Sequence, residues 1–147
     1  DNIQARKGPN PSGHSMVDGP TEALDLDRTE SNREIVRSFI DEILLKGQLD
    51  KLGLYIDDEH YTEHNPRIGV GLPALRSALA EPAANSSTKI QYNRVHRLLA
   101  EGNFVLSVSE GTFNDLFRVA DGKLVEHWDT TEAVPPRTEW NNDNGKF

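Results

Sequence analysis

The C-terminal half of this chain alternates apolar and polar residues in short segments, and this alternation limits the possible folds more than any other feature. The segments are residues 90–99, 104–113, 116–119 and 124–131. Glycine with asparagine or aspartate separates them at residues 101–103 and 120–122. An alternation of period two is typical of strands with one buried face, and strands joined by tight turns pair antiparallel. We therefore expect an antiparallel meander.

The joint between the second and third segments is unusual. Asn114 runs directly into Asp115, which leaves room for at most a two-residue turn, and the segment that follows is short. The pattern predicts either a tight hairpin at these two residues or a loss of residues between them.

The N-terminal half has helical periodicity instead. Apolar residues recur every three or four positions at Ile35, Val36, Phe39, Ile40, Ile43 and Leu44. Ser31 and Glu34 have the spacing of a capping box, and Gly47 is placed to end the helix. Residues 49–56 and a stretch from Gly71 to just before Pro82 predict two further helices. Helices followed by a meander predict an α+β domain.

Composition excludes several classes of function. The 24 acidic and 16 basic residues leave a net charge of -8, which disfavours nucleic acid and anionic membrane surfaces as partners. No apolar run approaches the roughly 18 residues of a membrane span, so a soluble protein is expected. The absence of cysteine rules out disulfides and thiolate sites and is compatible with a reducing compartment, for which we predict the cytoplasm.

The chain divides into three predicted parts. Residues 1–28 are rich in glycine and proline and predict an extended arm or linker. Residues 29–136 carry the periodic segments and form the predicted domain. Residues 137–147 are polar and predict an irregular tail.

Three sequence blocks occur together in the predicted domain. They are YTEHNP at residues 61–66, ahead of a helix start at Gly71, DLFRV at residues 115–119, and GKLVEHWD at residues 122–129. In this combination they resemble SnoaL-like proteins of the NTF2-like superfamily. The resemblance implies a cone in which a strongly curved antiparallel sheet wraps around three N-terminal helices. It also implies a pocket at the open end and, often, a homodimer packed sheet to sheet.

The resemblance extends to tandem proteins. Residues 1–4, with the sequence DNIQ, are similar to the residues that follow the Glu-His-Trp of such a domain. The chain therefore resembles the second half of a tandem SnoaL-like protein, and a preceding SnoaL-like domain is an alternative partner.

The resemblance also implies an activity. The founding members of this group are polyketide cyclases, which close a ring by aldol condensation without a cofactor, and Asp129 matches their acid/base aspartate. Related epoxide hydrolases need an Arg-x-Asp pair on a neighbouring strand. Ser109-Glu110-Gly111 stands in that region here, which argues against epoxide hydrolysis.

Strand alternation sorts the candidate site residues. His127 and Asp129 fall on one face of the last strand, and Glu126 and Trp128 fall on the other. The resemblance places His64 and Asp129 together on the pocket wall. The wall is predicted to include Thr62, Tyr92, Phe117 and Trp128 as well, around a small apolar molecule.

These residues suit proton transfer beside a carbonyl group. An apolar pocket removes water from a carboxylate and raises its pKa toward neutrality. Asp129 is the predicted base and His64 the predicted donor or orienting group, with assistance from His127. Tyr92 or Tyr61 could supply a phenolic donor. Such chemistry needs no metal and no redox cofactor, and we predict neither.

Structural roles are the alternatives for the same residues. Asp129 could accept backbone hydrogen bonds at a strand end, His64 could serve a turn, and Trp128 could pack in the core or at a subunit interface. Arg118 and Glu126 predict a cross-strand ion pair. A metal site at His60, His64 and Asp129 has no supporting ligand spacing.

The whole domain likewise has alternatives. It could be a non-catalytic binding domain or a dimerisation module, because a fold does not determine a function.

Overall fold

The computed structural model describes residues 10–80, 92–111, 113–131 and 136–142. The helices are α1 (Thr29–Phe39), α2 (Leu52–Tyr55) and α3 (Gly71–Ala80), and the strands are β1 (Thr62–Glu63), β2 (Tyr92–Glu101), β3 (Phe104–Gly111), β4 (Phe113–Ala120) and β5 (Lys123–Thr131). The expected α+β class is confirmed. The predicted first two residues of the meander, 90–91, and the similarity at residues 1–4 lie outside the described residues.

The helix α1 forms because its apolar stripe faces the sheet. Val36 and Phe39 are at most 3% exposed, and a π-helical turn, Ile40–Leu45, continues the stripe through Ile43. Burial of each such side chain contributes about 1.5–3 kcal/mol. Gly47 ends the helical segment with φ 67°, a conformation that glycine adopts at no steric cost. No helix in the described ranges is long and apolar enough to cross a membrane.

The predicted capping box at Ser31 and Glu34 is wrong. α1 begins at Thr29, directly after a 3-10 turn, Leu26–Arg28. The Ser31 hydroxyl donates to the Arg28 carbonyl (2.9 Å) instead of accepting from a helix amide. The preceding 3-10 turn moves the helix start two residues upstream of the cap that the sequence predicts.

The sheet has the strand order β1-β5-β4-β3-β2, and its last four strands form the expected antiparallel meander. β1 pairs parallel with β5, so the prediction of a purely antiparallel sheet is wrong. β1 comes from the helical half of the chain and is not tied to β5 by a hairpin, so its direction is not fixed by a turn.

The strong curvature expected of the sheet is also wrong, because the sheet is not strongly curled. Sharp bending of a sheet needs bulges or glycine kinks. The pairing of β3 with β4, at the middle of the meander, runs without a register shift, whereas β2 with β3 and β4 with β5 are interrupted by shifts near the ends of the sheet, at residues 92–97 and at residues 118–119.

The predicted hairpin at Asn114 and Asp115 is wrong as well. Both residues lie inside β4, which begins at Phe113. Asp115 pairs with Ser107 on one side and with Asp129 on the other, so these two consecutive residues continue the ladder. Because Asp115 is a buried carboxylate at an inward position, it interrupts the apolar alternation that revealed the rest of the strand.

The hydrophobic core lies between the helices and one face of the sheet, called here the inner face. Val36 of α1, Leu52 of α2, Val105 of β3 and Leu124 of β5 are fully buried in it. These contacts fix the helices over the inner face, where part of the candidate site lies.

The described part of the predicted arm packs against the domain. The Asn10 side-chain amide donates to the His64 carbonyl (2.7 Å) and is buried. At residue 24 the backbone donates to the Asn103 side chain (3.0 Å) and accepts from the Asn103 amide (2.8 Å). We call residues 10–28 the strap. The domain limits themselves stay a prediction.

Candidate functional site

A buried row of ionisable side chains joins β1, β4 and β5 on the inner face. His127 lies at its centre, with Nδ1 2.9 Å from Glu63 Oε1 and Nε2 3.1 Å from Asp115 Oδ1. Strand register creates these contacts, because Glu63 pairs with His127 in the parallel ladder and Phe117 pairs with His127 in the antiparallel one. The Phe117 ring stacks on the imidazole, with ring centroids 4.9 Å apart.

Two tyrosines end the row. The Tyr61 hydroxyl donates to Glu63 Oε2 (2.8 Å), and the Tyr92 hydroxyl donates to Asp115 Oδ1 (2.6 Å). The backbone amide of Asn65 also donates to Glu63 Oε1 (2.9 Å). The second oxygen of Asp115, Oδ2, is buried and has no hydrogen-bond partner in the part of the chain that the structure describes. That oxygen is available to a water molecule or a ligand.

His127 carries a positive charge in this arrangement. Both of its nitrogens face carboxylate oxygens, which only accept, so both nitrogens must donate. Burial alone would lower the pKa of His127, but the charges of Glu63 and Asp115 and the hydrogen bonds to them raise it well above its usual value. Burial would raise the pKa of Glu63, and the His127 charge outweighs that effect and lowers it.

Asp129 lies beside this row on β5. Its Oδ2 accepts a 2.5 Å hydrogen bond from the Asn65 side-chain amide. Burial raises the pKa of Asp129, and the nearby charges of Glu63 and Asp115 add to the rise. The charge of His127 and the bond from Asn65 offset only part of it. A carboxylate whose pKa is raised is a stronger base than an ordinary one, which favours proton abstraction from a substrate.

These groups border a small cavity, called here the inner hollow, of about 20 Å³. That volume is room for roughly one water molecule. Its polar wall is formed by Tyr61, Tyr92, His127 and Asp129. The remaining wall is apolar and comes from Phe39, Leu44, Ile68, Leu75, Leu79 and Phe117.

The structure brings together some of the predicted site residues. His127, Asp129, Tyr92 and Phe117 all line the inner hollow. Thr62 does not line it; this residue pairs with Glu126 in the ladder between β1 and β5.

The predicted placement of His64 beside Asp129 is wrong. His64 Nε2 lies 2.9 Å from Glu126 Oε1, and its ring stacks on Trp128 with centroids 4.6 Å apart. Both partners belong to the opposite face of β5, called here the outer face. The two-residue strand β1 gives no alternation from which its facing could be deduced. The predicted pair of Arg118 with Glu126 is present, with Arg118 Nε donating to Glu126 Oε2 at 2.7 Å.

Three members of the site were not predicted from the sequence, namely Glu63, Asp115 and Asn65. Asp115 had a detectable signal, because it lies two and four residues before the inward Phe117 and Val119. Glu63 and Asn65 had no signal of their own, since their contacts depend on how β1 enters the sheet.

The residues considered for a metal site are not assembled. His60 is exposed and its ring contacts Asp57 (3.0 Å) instead. Within the described ranges no group of three histidine, aspartate or glutamate side chains is arranged to hold a metal ion.

His64 fastens the strap to the outer face. Nδ1 lies 2.6 Å from the Ser15 carbonyl oxygen, while Nε2 contacts Glu126. The ring therefore bridges the strap and β5 through its two nitrogens. His64 is 1% exposed.

His64→Phe is expected to release the strap while keeping the aromatic stack on Trp128. The net contribution of a hydrogen bond is about 0.5–1.5 kcal/mol, so loss of the bond to Ser15 should accelerate amide exchange over residues 10–18 about two- to tenfold. Hydrogen exchange read by mass spectrometry measures this, with His60→Phe, at an exposed histidine, as the control. Unchanged protection of residues 10–18 would show that His64 does not hold the strap.

Solved structures share this architecture. A candidate ketosteroid isomerase from Kribbella flavida DSM 17836 superposes with a TM-score of 0.57 at 16% identity, over 81% of this chain and 94% of that one. An NTF-2 like protein of unknown function from Burkholderia xenovorans LB400 has a TM-score of 0.55 at 15% identity, over 80% and 99%. An LEH-like epoxide hydrolase from M. tuberculosis has a TM-score of 0.53 at 17% identity, over 71% and 85%.

No protein-family profile and no curated protein sequence matches the chain. The similarity is therefore one of structure at low sequence identity. The chain has the NTF2-like fold, which confirms the expected resemblance at the level of the fold.

Proposed function

We propose that this chain binds an apolar, carbonyl-bearing small molecule at the inner hollow and removes a proton beside the carbonyl group. Asp129 is the base, and no cofactor takes part. The observation that carries the proposal is the position of Asp129: a carboxyl with a raised pKa at the wall of an apolar hollow. The structural similarity to a candidate ketosteroid isomerase is compatible with it.

The proposed step transfers one proton. A carboxylate oxygen of Asp129 takes the proton from the carbon beside the carbonyl, and the electron pair of that C–H bond forms the enolate. Negative charge thus moves from Asp129 to the substrate oxygen without a change in total charge. Return of the proton to another carbon completes an isomerisation, and attack of the enolate on a second carbonyl gives an aldol product.

The two tyrosines are the proposed donors to the enolate oxygen. Tyr61 and Tyr92 line the hollow, and burial raises the pKa of each phenol well above its usual value, so both keep their protons. Either hydroxyl can turn from its carboxylate partner to the substrate. His127 has both nitrogens occupied, so in this proposal it contributes positive charge and not proton transfer.

Substrate binding requires the inner hollow to widen. Ligand pockets usually enclose about 300–1,000 Å³, far more than this cavity. Leu79 of α3 is only half-buried at its wall. We propose that Leu79 moves when the substrate enters.

A direct test is deuterium exchange at the carbons flanking the carbonyl of 2-tetralone, an apolar ketone, followed by proton NMR. The wild-type protein is expected to accelerate exchange above the buffer rate. Asp129→Asn should lower the protein-dependent rate at least about 100-fold, the usual contribution of a general base. The rate should rise with pH as the raised pKa of Asp129 is passed, because only the carboxylate form accepts a proton.

The matched control is Asp121→Asn, the same chemical change in the turn between β4 and β5. Asp121 has φ 49°, a conformation that asparagine also tolerates, and it is exposed. The Asp121→Asn protein should accelerate deuterium exchange of 2-tetralone as much as the wild type does. Exchange by the wild type that does not exceed the buffer rate, or equal rates for Asp129→Asn and the wild type, would contradict the proposal.

Binding without catalysis is the second candidate function, favoured by one observation. In the described residues the hydroxyls of Tyr61 and Tyr92 both already donate to carboxylates. The same NMR samples separate the two functions, since a binder would broaden the 2-tetralone signals without deuterium exchange. Pairing with a second copy or a tandem domain stays a prediction.

A further inference from the structure

A second and much larger hollow lies on the outer face of the sheet, beneath the strap. We call it the outer hollow; its volume is about 880 Å³. Phe104, Leu116 and Trp128 form its floor, and Met16, Val17 and Leu26 of the strap form much of its cover. Its volume falls within the range of small-molecule sites, about 300–1,000 Å³.

The strap is anchored on both sides of the outer hollow. On one side the Trp128 indole N–H donates to the Asp18 carbonyl (2.9 Å), close to the contact of His64 with Ser15. On the other side the Leu24 N–H donates to Asn103 Oδ1, and the Leu24 carbonyl accepts from the Asn103 backbone N–H. The segment between these anchors therefore spans the hollow at a fixed height above the sheet.

Apolar side chains of the strap are left uncovered. Val17 is 69% exposed, Leu24 57% and Leu26 63%, and two of these three line the outer hollow. Large exposed apolar side chains gathered at one place usually mark a contact with another molecule. An apolar ligand in the hollow would cover part of this surface.

The charge of the wall selects among apolar ligands. Asp18 and Glu101 contribute carboxylates to it, and no lysine or arginine occurs among the described residues that line it. The hydrogen bond from the Ser15 amide, with the nearby charges of His14 and His64, lowers the pKa of Asp18 and keeps it ionised. An acidic rim above an aromatic floor attracts cations and repels anions.

We propose that the outer hollow is a binding site for a flat aromatic cation, held between the floor of Trp128 and Phe104 and the strap. The site lies across the sheet from the tyrosines and His127 of the inner hollow. It does not depend on the proposed function, and it can be tested without any turnover.

A substitution at Gly19 can shift the strap without replacing a side chain of the floor. A Cβ at this position would lie 2.6 Å from Trp128 Cζ2, and the backbone has φ 126°. Gly19→Ala must therefore displace the strap from the tryptophan. Gly13→Ala is the matched control, because Gly13 also has a positive φ (83°) but a Cβ there meets nothing within 4 Å.

The test is a fluorescence titration of the full chain with 9-aminoacridine, a tricyclic cation, and with anthracene-9-carboxylate, a tricyclic anion of similar size. The cation is expected to bind at least about tenfold more tightly. Glu101→Gln should reduce this preference. Gly19→Ala should weaken cation binding about fivefold or more, while Gly13→Ala should leave it unchanged.

Phe104→Leu is the second variant and keeps the test decisive if Gly19→Ala does not fold. It removes one aromatic ring of the floor and should weaken the cation more than the anion. Equal affinity for the two probes would overturn the proposal, as would equal effects of Gly19→Ala and Gly13→Ala. A dimer in sedimentation whose formation excludes the cation would assign the outer face to a second copy of the chain instead.

Discussion

Leucine in place of His127 is expected to lower the free energy of unfolding by about 3–5 kcal/mol at pH 7. His127 is the only cation that contacts both Glu63 and Asp115 in the described structure, and all three side chains are buried. Removal of one partner from a buried ion pair leaves an uncompensated charge in a poorly solvated place, which is strongly destabilising. Urea denaturation followed by circular dichroism measures the loss.

Two further variants serve as controls for this expected loss of stability. His60→Leu removes an exposed histidine and should change the free energy of unfolding by less than about 1 kcal/mol. The combination Glu63→Gln, Asp115→Asn and His127→Leu removes the charges together and should recover at least half of the loss. A His127→Leu protein as stable as the wild type would show that the buried row is not an ion network.

The buried row also explains the division of roles in the proposed mechanism. A histidine held between two carboxylates has no free nitrogen with which to take a proton from a substrate. Asp129 differs, because its hydrogen bond comes from a neutral amide, that of Asn65, and burial raises its pKa. The carboxyl of Asp129 is therefore the group that can accept a proton from a substrate, and the His127 imidazole supplies a fixed positive charge beside it.

Local sequence patterns predicted the elements that depend on local interactions. The apolar spacing of α1 and the stop at Gly47 are both present, because helix burial and glycine conformation act within a few residues. The hairpin turns at residues 101–103 and 120–122 are present for the same reason. The start of β4 was missed because Asn114 and Asp115 are residue types typical of turns, although the spacing of Asp115 from Phe117 and Val119 places it on the inward face.

The candidate site was predictable only along a single strand. Alternation correctly placed His127 and Asp129 on one face of β5. Their partners come from β1 and β4, and contacts across strands depend on register, which the pattern of one segment does not contain. The resemblance assigned His64 to the wrong face, and β1 is too short for its own alternation to correct that assignment.

Stability should also depend on pH in a direction set by the buried row. The pKa of His127 is raised in the folded protein. Its charge therefore stabilises the fold fully below the usual histidine pKa of about 6.5, and this contribution is lost as pH rises through the folded pKa. The raised pKa of Asp129 acts in the same direction. The lowered pKa of Glu63 acts oppositely, since its contribution is lost as pH falls below the usual glutamate pKa of about 4.3.

The free energy of unfolding is therefore expected to be highest between about pH 4.3 and 6.5 and to fall as the solution becomes alkaline. While the unfolded histidine is neutral and the folded one is charged, each pH unit costs about 1.4 kcal/mol. Urea denaturation across about pH 5 to 10 measures this loss. The variant with Glu63→Gln, Asp115→Asn and His127→Leu lacks the titrating histidine, so its alkaline slope should be much flatter. A wild-type stability that stays constant or rises above pH 7 would mean that His127 is not held as a cation between the two carboxylates.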